Sequence, residues 1–294
     1  MTLKIISGPA STELGVKVSE LLGVSSVPLE FKIFPDGEIY LRYAGEIKNE
    51  DVVIIQTTSP PQDSNLIQLL LLIDAAKKLD ARKVLTVVPY MAYARQDKIF
   101  RPGEAVSART LVRLIELSGT DVFFTVNIHA PSILSTFRIP AYNLSAINEL
   151  AEYFKRIGLS GALSLSPDKG AVEIAVEADK ILRGGYGWLR KERDRVTGEI
   201  AMEHTELDIQ GKNVIVFDDM ISTGGTTAAA VKILKEQGAE RVFAACVHPL
   251  MIGEAEKRII DNGAEGIVGT DCVTNKFSRV SVAPVVAKAI SRIV

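Results

Sequence analysis

The sequence predicts an α/β protein of two domains, each a mainly parallel sheet flanked by helices, and three observations predict it. Short runs rich in Val and Ile alternate with helix-length stretches along most of the chain, as parallel strands joined by crossover helices require. The 294 residues suit two domains of ordinary size better than one. The halves also echo each other. VVIIQTTS (Val52–Ser59), a helix and DARKVLTVVPYM (Asp80–Met91) parallel VIVFDDMISTGGT (Val214–Thr226), a helix and AERVFAACVHPLM (Ala239–Met251). A shared order of elements favours duplication of one unit over convergence.

In chain order, strands are read at Leu3–Ser7, Glu30–Phe34, Asp51–Gln56, Lys83–Val88, Val122–Ile128, Ala162–Ser166, Asn213–Phe217, Arg241–Val247 and Gly266–Gly269. Each is a short apolar run closed by turn-forming or polar residues. Between them, Ser64–Leu79, Ala105–Ser118, Ser145–Ile157, Gly225–Gln237 and Gly253–Asn262 have helical length and pattern. The domain break is expected near Pro140–Ser145. It gives a first domain over residues 1–143 and a second over 144–279, with the last strand and helix, residues 280–294, free to return to the first.

Hydrophobic residues make up 47% of the chain, enough for sizeable cores, and the formal net charge is −2. That balance argues against a nucleic-acid or anionic-membrane binder, so any anion must be caught by local loops. Cys246 and Cys272 are the only cysteines and form neither a disulfide framework nor a zinc pattern. No signal-peptide pattern opens the sequence and apolar runs such as Leu69–Ile73 are far too short to span a bilayer, so a cytoplasmic protein is expected.

The chemistry concentrates in VIVFDDMISTGGT. Four apolar residues make a buried strand, Asp218 and Asp219 follow, and Ser222, Thr223, Gly224, Gly225 and Thr226 turn into an Ala-rich helix. Glycines admit an anion close to the backbone, hydroxyls donate to it, and the helix start supplies free N–H groups. A phosphate on the loop and ribose hydroxyls on the two carboxylates would use every one of these groups. A capped helix alone explains the Thr and Gly but not two adjacent carboxylates.

Other segments are weaker singly. Asp36, Gly37 and Glu38 lie in FPDGE, which is also an ordinary turn signal. Arg95 and Gln96 lie in PYMAYARQDK, suited to stacking a purine and neutralising phosphate or to a solvated loop. His129 closes VFFTVNIH, where a lone His is more often structural. SPDKG offers Ser166, Asp168, Lys169 and Gly170 as an anion or metal loop, with a helix cap as the alternative. Arg190–Arg195 is a mixed charge run among glycines, either a solvated hairpin or a lid that closes cations over phosphates. Asp36, Arg95, His129, Asp168 and Asp218 all fall beyond C-terminal ends of the strands read above, where open α/β sheets bind ligands.

Taken together, FPDGE, QTTSPPQDSNLIQLLLLIDAAKK, YARQDK, NIHA, SPDKGA, KER and DDMISTGGT resemble the ribose-phosphate pyrophosphokinase family from one end of the chain to the other; phosphoribosyltransferases share only the last motif. The resemblance implies two type I phosphoribosyltransferase-like domains. It also implies Mg²⁺-dependent transfer of the β,γ-pyrophosphoryl group of ATP to ribose 5-phosphate, giving PRPP and AMP for nucleotide biosynthesis. It assigns ATP to Asp36, Gly37, Glu38, Arg95 and Gln96, the first three reaching from a neighbouring subunit of a homo-oligomer. It gives the metal to His129 and Asp168, and the pyrophosphate loop to Ser166, Asp168, Lys169 and Gly170. Lys191 and Arg193 become the catalytic pair of a lid over residues 184–199. Ribose 5-phosphate falls to Arg193, Asp218, Asp219, Ser222, Thr223, Gly224, Gly225 and Thr226. Asn127, Ala171 and Ser222 depart from common family residues, and Pro131, Ser132 and Leu134 replace polar residues of a nucleotide-inhibition region. A transferase that consumes PRPP would leave the first half and the lid unused. A non-catalytic PRPP-binding regulator would need neither metal site nor lid.

Overall fold

Two sheets of mostly parallel strands, one in each half of the chain, organise the structure, a computed structural model that describes residues 2–193, 200–204 and 208–294, without the side chains of 190–207. The chain divides into one unit formed by Met1–Ser145 with Ser281–Val294 and a second formed by Ala146–Val280.

The first unit runs β1 (Leu3–Ser7), α1 (Thr12–Leu22), β2 (Ser25–Ser26), β3 (Leu29–Ile33), β4 (Ile39–Tyr43), β5 (Asp51–Ile55), α2 (Gln62–Lys78), β6 (Lys83–Val88), α3 (Ser107–Ser118), β7 (Val122–Val126) and β8 (Ala141–Leu144). Six of its strands form a parallel sheet in the order β2-β1-β5-β6-β7-β8. Every residue of β5 and β7 is buried, as expected of strands covered on both faces. In α3, Ala108, Leu111, Val112 and Ile115 are buried at helical spacing, and Gly119 (φ +112°) closes the helix.

One predicted strand belongs elsewhere. The Glu30–Phe34 segment is not part of the parallel sheet: β3 pairs antiparallel with β4 in a separate two-stranded ribbon, Leu29 opposite Tyr43 and Ile33 opposite Ile39. The cause is its alternation. LEFKI and IYLRY each have a period of two, and Pro35-Asp36-Gly37 supplies the turn.

The second unit runs α4 (Ile147–Arg156), β9 (Leu163–Ser166), α5 (Val172–Leu182), β10 (Tyr186–Arg193), β11 (Ile200–His204), β12 (Asn213–Ile221), α6 (Gly225–Glu236), β13 (Arg241–Pro249), α7 (Ala255–Asp261), β14 (Gly266–Thr270) and β15 (Ser278–Val280). Its sheet has the order β11-β10-β9-β12-β13-β14-β15, parallel except for β11. The two sheets therefore share one plan, with β1, β5, β6, β7 and β8 answering to β9, β12, β13, β14 and β15. The last strand and last helix part company: β15 edges the second sheet, while α8 (Ala283–Ile290) packs on α1 in the first unit. No helix among the described residues is long and apolar enough to cross a membrane.

Aromatic packing under the second sheet fixes β12. Phe217 and Phe154 are both fully buried, their ring centroids 6.0 Å apart, and Phe154 meets Phe243 at 5.8 Å, all edge to face. Phe154→Ala should destabilise this unit by about 3–5 kcal/mol through the lost transfer energy and the cavity left behind. The measurement is a urea unfolding midpoint, and a midpoint equal to wild type would contradict the packing described.

Candidate active site

In the second unit the sheet brings two loops together. β9 ends at buried Ser166, whose Oγ donates to the carbonyl of Asp168 at 2.7 Å. Asp168 is extended, and its Oδ1 accepts from Gly170 N at 2.8 Å, capping the 3-10 turn Lys169–Ala171 that leads into α5. The helix-cap reading of SPDKG is thus realised, and it leaves the rest of the carboxylate for other partners.

The neighbouring strand β12 is longer than the sequence predicts. Its pairing with β13 continues through Asp218 opposite Cys246 to Ile221 opposite Pro249, so Asp218 and Asp219 lie inside the strand and not beyond its end. The polar pair was read as loop because buried parallel strands are normally apolar. Both residues are half-buried. Asp218 Oδ1 accepts from Asp219 N at 2.9 Å, and Asp219 Oδ1 from Met220 N at 2.8 Å.

The loop Ser222–Thr226 follows. Gly224 takes φ +74° and is the N-cap of α6; a Cβ there would lie 3.0 Å from the Ala255 carbonyl oxygen. The loop is fastened from behind. Arg258 Nη1 donates to the Thr223 carbonyl at 2.7 Å, Ile252 N to Ser222 O at 2.9 Å and Met251 N to Ile221 O at 3.0 Å. Thr223, Gly225 and Thr226 are exposed, at the start of a helix whose first N–H groups have no intrahelical acceptor. This is an anion cradle beside a cluster of carboxylates.

Burial pushes the Asp218 carboxyl well above the usual aspartate range, and the charges of Asp219 and Asp168 push it further. Asp168, Asp218 and Asp219 therefore form one electrostatic group. Among the described residues no three or more His, Cys, Asp or Glu side chains converge as a metal cage. A cation held here would need further ligands from water or a bound anion, as Mg²⁺ habitually does.

In the first unit, Arg95 is exposed and Gln96 half-buried on the segment leaving β6. Gln96 Nε2 lies 3.3 Å from both Glu104 Oε2 and Lys98 O. Glu104 also accepts from Phe100 N and Arg101 N, and these backbone bonds hold its carboxyl below the ordinary range. His129 is exposed beyond the adjacent β7, which stops at Val126 and not at Ile128. Asn127 ends it by turning to φ +38°, and Asn143 Oδ1 takes the Ile128 N–H at 2.9 Å.

Asp36, Gly37 and Glu38 do not lie at a parallel sheet's C-terminal edge. They form the exposed turn of the β3–β4 ribbon, where Asp36 Oδ1 accepts from Glu38 N at 3.1 Å. Lys191 and Arg193 fall on β10, opposite Met202 and Ile200 of β11. Their side chains, and residues 194–199 of the expected lid, lie outside the described residues. Arg258 and Glu104, which hold two of these loops in shape, carried no signal in the sequence because Arg258 binds a backbone carbonyl 35 positions away and Glu104 binds the N–H groups of its own turn.

The raised Asp218 carboxyl has a stability consequence. The folded protein binds its proton more tightly than the unfolded chain, so Asp218 favours folding at low pH and loses that contribution as pH rises through its folded pKa. Asp218→Asn should therefore melt at a higher temperature than wild type at pH 8 without ligands. The gap should narrow as pH falls toward the ordinary aspartate value near 3.8, and a pH-independent gap would contradict the assignment.

The same architecture has known counterparts. A family model described as the N-terminal domain of ribose phosphate pyrophosphokinase matches residues 3–119, and a phosphoribosyl transferase domain model matches 150–273. A ribose-phosphate pyrophosphokinase of Methanosarcina acetivorans is 44% identical over 99% of this chain and 100% of its own length. One of Methanopyrus kandleri is 40% identical over 98% and 99%. The crystal structure of a phosphoribosylpyrophosphate synthetase from Mycobacterium smegmatis superposes with a TM-score of 0.88 at 29% identity, covering 100% of this chain and 99% of that one. The two type I phosphoribosyltransferase-like units and these full-length matches agree: the chain belongs to the ribose-phosphate pyrophosphokinase family and is a PRPP-forming enzyme.

Proposed function

We propose that this enzyme transfers the β,γ-pyrophosphoryl group of ATP to the 1-hydroxyl of D-ribose 5-phosphate, giving 5-phospho-α-D-ribose 1-diphosphate and AMP. The observation that carries the reading is the junction in the second unit. There the Asp168 loop beyond β9, Asp218 and Asp219 within the adjacent β12, and the Ser222–Thr226 loop that follows β12 come from neighbouring parallel strands. The cradle holds the 5-phosphate through its N–H groups and hydroxyls. Asp218 and Asp219 accept hydrogen bonds from ribose hydroxyls, which orients the 1-hydroxyl.

In the transfer that hydroxyl oxygen bonds to the β-phosphorus as the bond from β-phosphorus to the bridging α-phosphate oxygen breaks. AMP departs with that oxygen, and the hydroxyl proton is released. Such chemistry asks for in-line alignment and charge neutralisation more than covalent help. Ser166, Lys169 and Gly170 flank the moving pyrophosphoryl group, and Lys191 with Arg193 closes over it, Arg193 also reaching the ribose phosphate. Arg95 and Gln96 hold the nucleotide.

The crowded carboxylates Asp168, Asp218 and Asp219 suit a site that accepts a divalent cation, and we assign Mg²⁺ to Asp168 and His129. When bound, Mg²⁺ neutralises charge spread over the β- and γ-phosphates. We assign the exposed Asp36–Glu38 turn, carried on a ribbon outside the main sheet, to the nucleotide site of a neighbouring copy, a role that would require at least a dimer.

Pure protein incubated with Mg²⁺, ATP and ribose 5-phosphate should yield AMP and PRPP in equal amounts. No AMP above a protein-free control would overturn the reading. Lys191→Ala should lower turnover by a factor of roughly 10²–10³ with an unchanged melting temperature. Turnover equal to wild type would remove Lys191 from the transition state.

A further inference from the structure

The strand exit of the first unit that answers to β12 and its loop is Gln56–Asn65, and its chemistry is of another kind. By sheet register Asp51 faces Lys83 as Asn213 faces Arg241, which sets Gln56 and Thr57 against Asp218 and Asp219. Where the second unit has half-buried carboxylates, this loop is closed on itself by amides and hydroxyls. Gln56 is fully buried, accepts from Ala10 N at 3.0 Å and donates to Gln68 Oε1 at 2.9 Å. Thr57 N donates to Ser11 Oγ at 2.8 Å, and Asn65 Nδ2 donates to Ser59 O at 2.8 Å. These buried polar groups are satisfied internally, and a network of that kind rigidifies what it touches.

What it touches is the segment leaving β6. Thr58 is 1% exposed. Its Oγ1 donates to Tyr90 O at 2.8 Å and accepts from Ala92 N at 2.8 Å, while its own N–H reaches Tyr90 O at 3.0 Å. Three bonds from one residue thus clamp both sides of Met91. At the far end of the loop, the Asp63 carboxylate accepts from the Tyr93 hydroxyl. The clamped segment buries Tyr90, Met91, Ala92 and Ala94 and turns Tyr93 (φ +63°) and Arg95 outward. A non-glycine residue at such a φ persists only where its surroundings over-determine it.

We infer that Thr58 and Asp63 are positioning residues for the nucleotide. The former phosphate loop of the first unit has become a brace that sets the presentation of Tyr93, Arg95 and Gln96. The inference rests on the proposed placement of ATP on that segment. A hydroxyl that serves a carbonyl and an N–H at once has no apolar substitute, because its removal takes the acceptor from the buried Ala92 N–H and one donor from the Tyr90 carbonyl.

The test compares Thr58→Val, Thr58→Ser and Asp63→Ala with wild type, reading KM for ATP, KM for ribose 5-phosphate, kcat and, by calorimetry, the Kd of ATP alone. Thr58→Val should raise both ATP constants by about ten-fold, leaving kcat and the ribose 5-phosphate KM within about two-fold. Thr58→Ser, which keeps the hydroxyl, should stay close to wild type. Exposed Asp63→Ala should raise the ATP constants by about three-fold, and it decides the matter if Thr58→Val fails to fold. ATP constants equal to wild type, or a uniform loss in every constant, would overturn the brace. Because calorimetry needs no turnover, wild type that binds ATP but makes no PRPP defeats the proposed reaction while leaving the brace measurable. Wild type that binds no ATP overturns both.

Discussion

The parallel pairing of β12, with β9 on one side and β13 on the other, is the constraint from which the site follows. Val214 faces Leu163 and Val216 faces Leu165, so β9 ends at Ser166 beside Phe217 and its loop emerges alongside Asp218 and Asp219 of β12. Asp168 then lies near enough to Asp218 for each charge to feel the other. A slip of one residue in this register would exchange the faces of the strand and carry Asp218 away from the helix α6 side. Val214, Val216 and Cys246 pack there with Ala228, Val231 and Leu234 of α6. The apolar core and the chemistry are thus fixed by one set of backbone bonds.

The same plan repeated in the first unit shows what separates a scaffold from a site. Both units have a strand, a loop through a 3-10 turn and a helix at the first position, Pro9–Ser11 in one and Lys169–Ala171 in the other. At the second position one unit has Gln56 and Thr57, the other Asp218 and Asp219. An amide donates and accepts, so Gln56 joins Ala10, Asn65 and Gln68 in a closed buried network. A carboxylate only accepts, and the charges of Asp219 and Asp168 add to the cost of ionising Asp218. A hydroxyl donor or a cation brought against this group would lower that cost.

Most of the fold was legible because buried parallel strands write themselves as unbroken apolar runs: β1 and β6 begin and end where the sequence places them. Errors came where polarity and structure part. β12 runs four residues past Phe217, since paired carboxylates look like a loop. β7 stops two residues early, since nothing in Asn127-Ile128 announces a left-handed turn. The β3 run looked like another parallel strand because the hairpin partner that claims it contains no Val or long apolar stretch. In the site, the Gly-Gly and Asp-Asp pairs were legible from their chemistry alone. The Arg258 bond to Thr223 was not, because it spans 35 positions and depends on where α7 is set down.

Gathering carboxylates at a half-buried strand end opposes folding, and the structure shows where the opposition is met. Phe217 immediately precedes Asp218, and successive side chains of a strand point to opposite faces. While Asp218 turns toward the site, Phe217 turns into the cluster with Phe154 and Phe243. Burying one such ring contributes about 1.5–3 kcal/mol, which acts against the cost of holding the carboxylate there. Behind the cradle, Gly224 holds a left-handed turn against the Ala255 carbonyl, and Arg258 ties down Thr223. The reactive edge therefore has little freedom to relieve its charge by moving away. In the proposed function, relief would come by binding, and the folding cost of Asp218 would then be part of what selects the substrate.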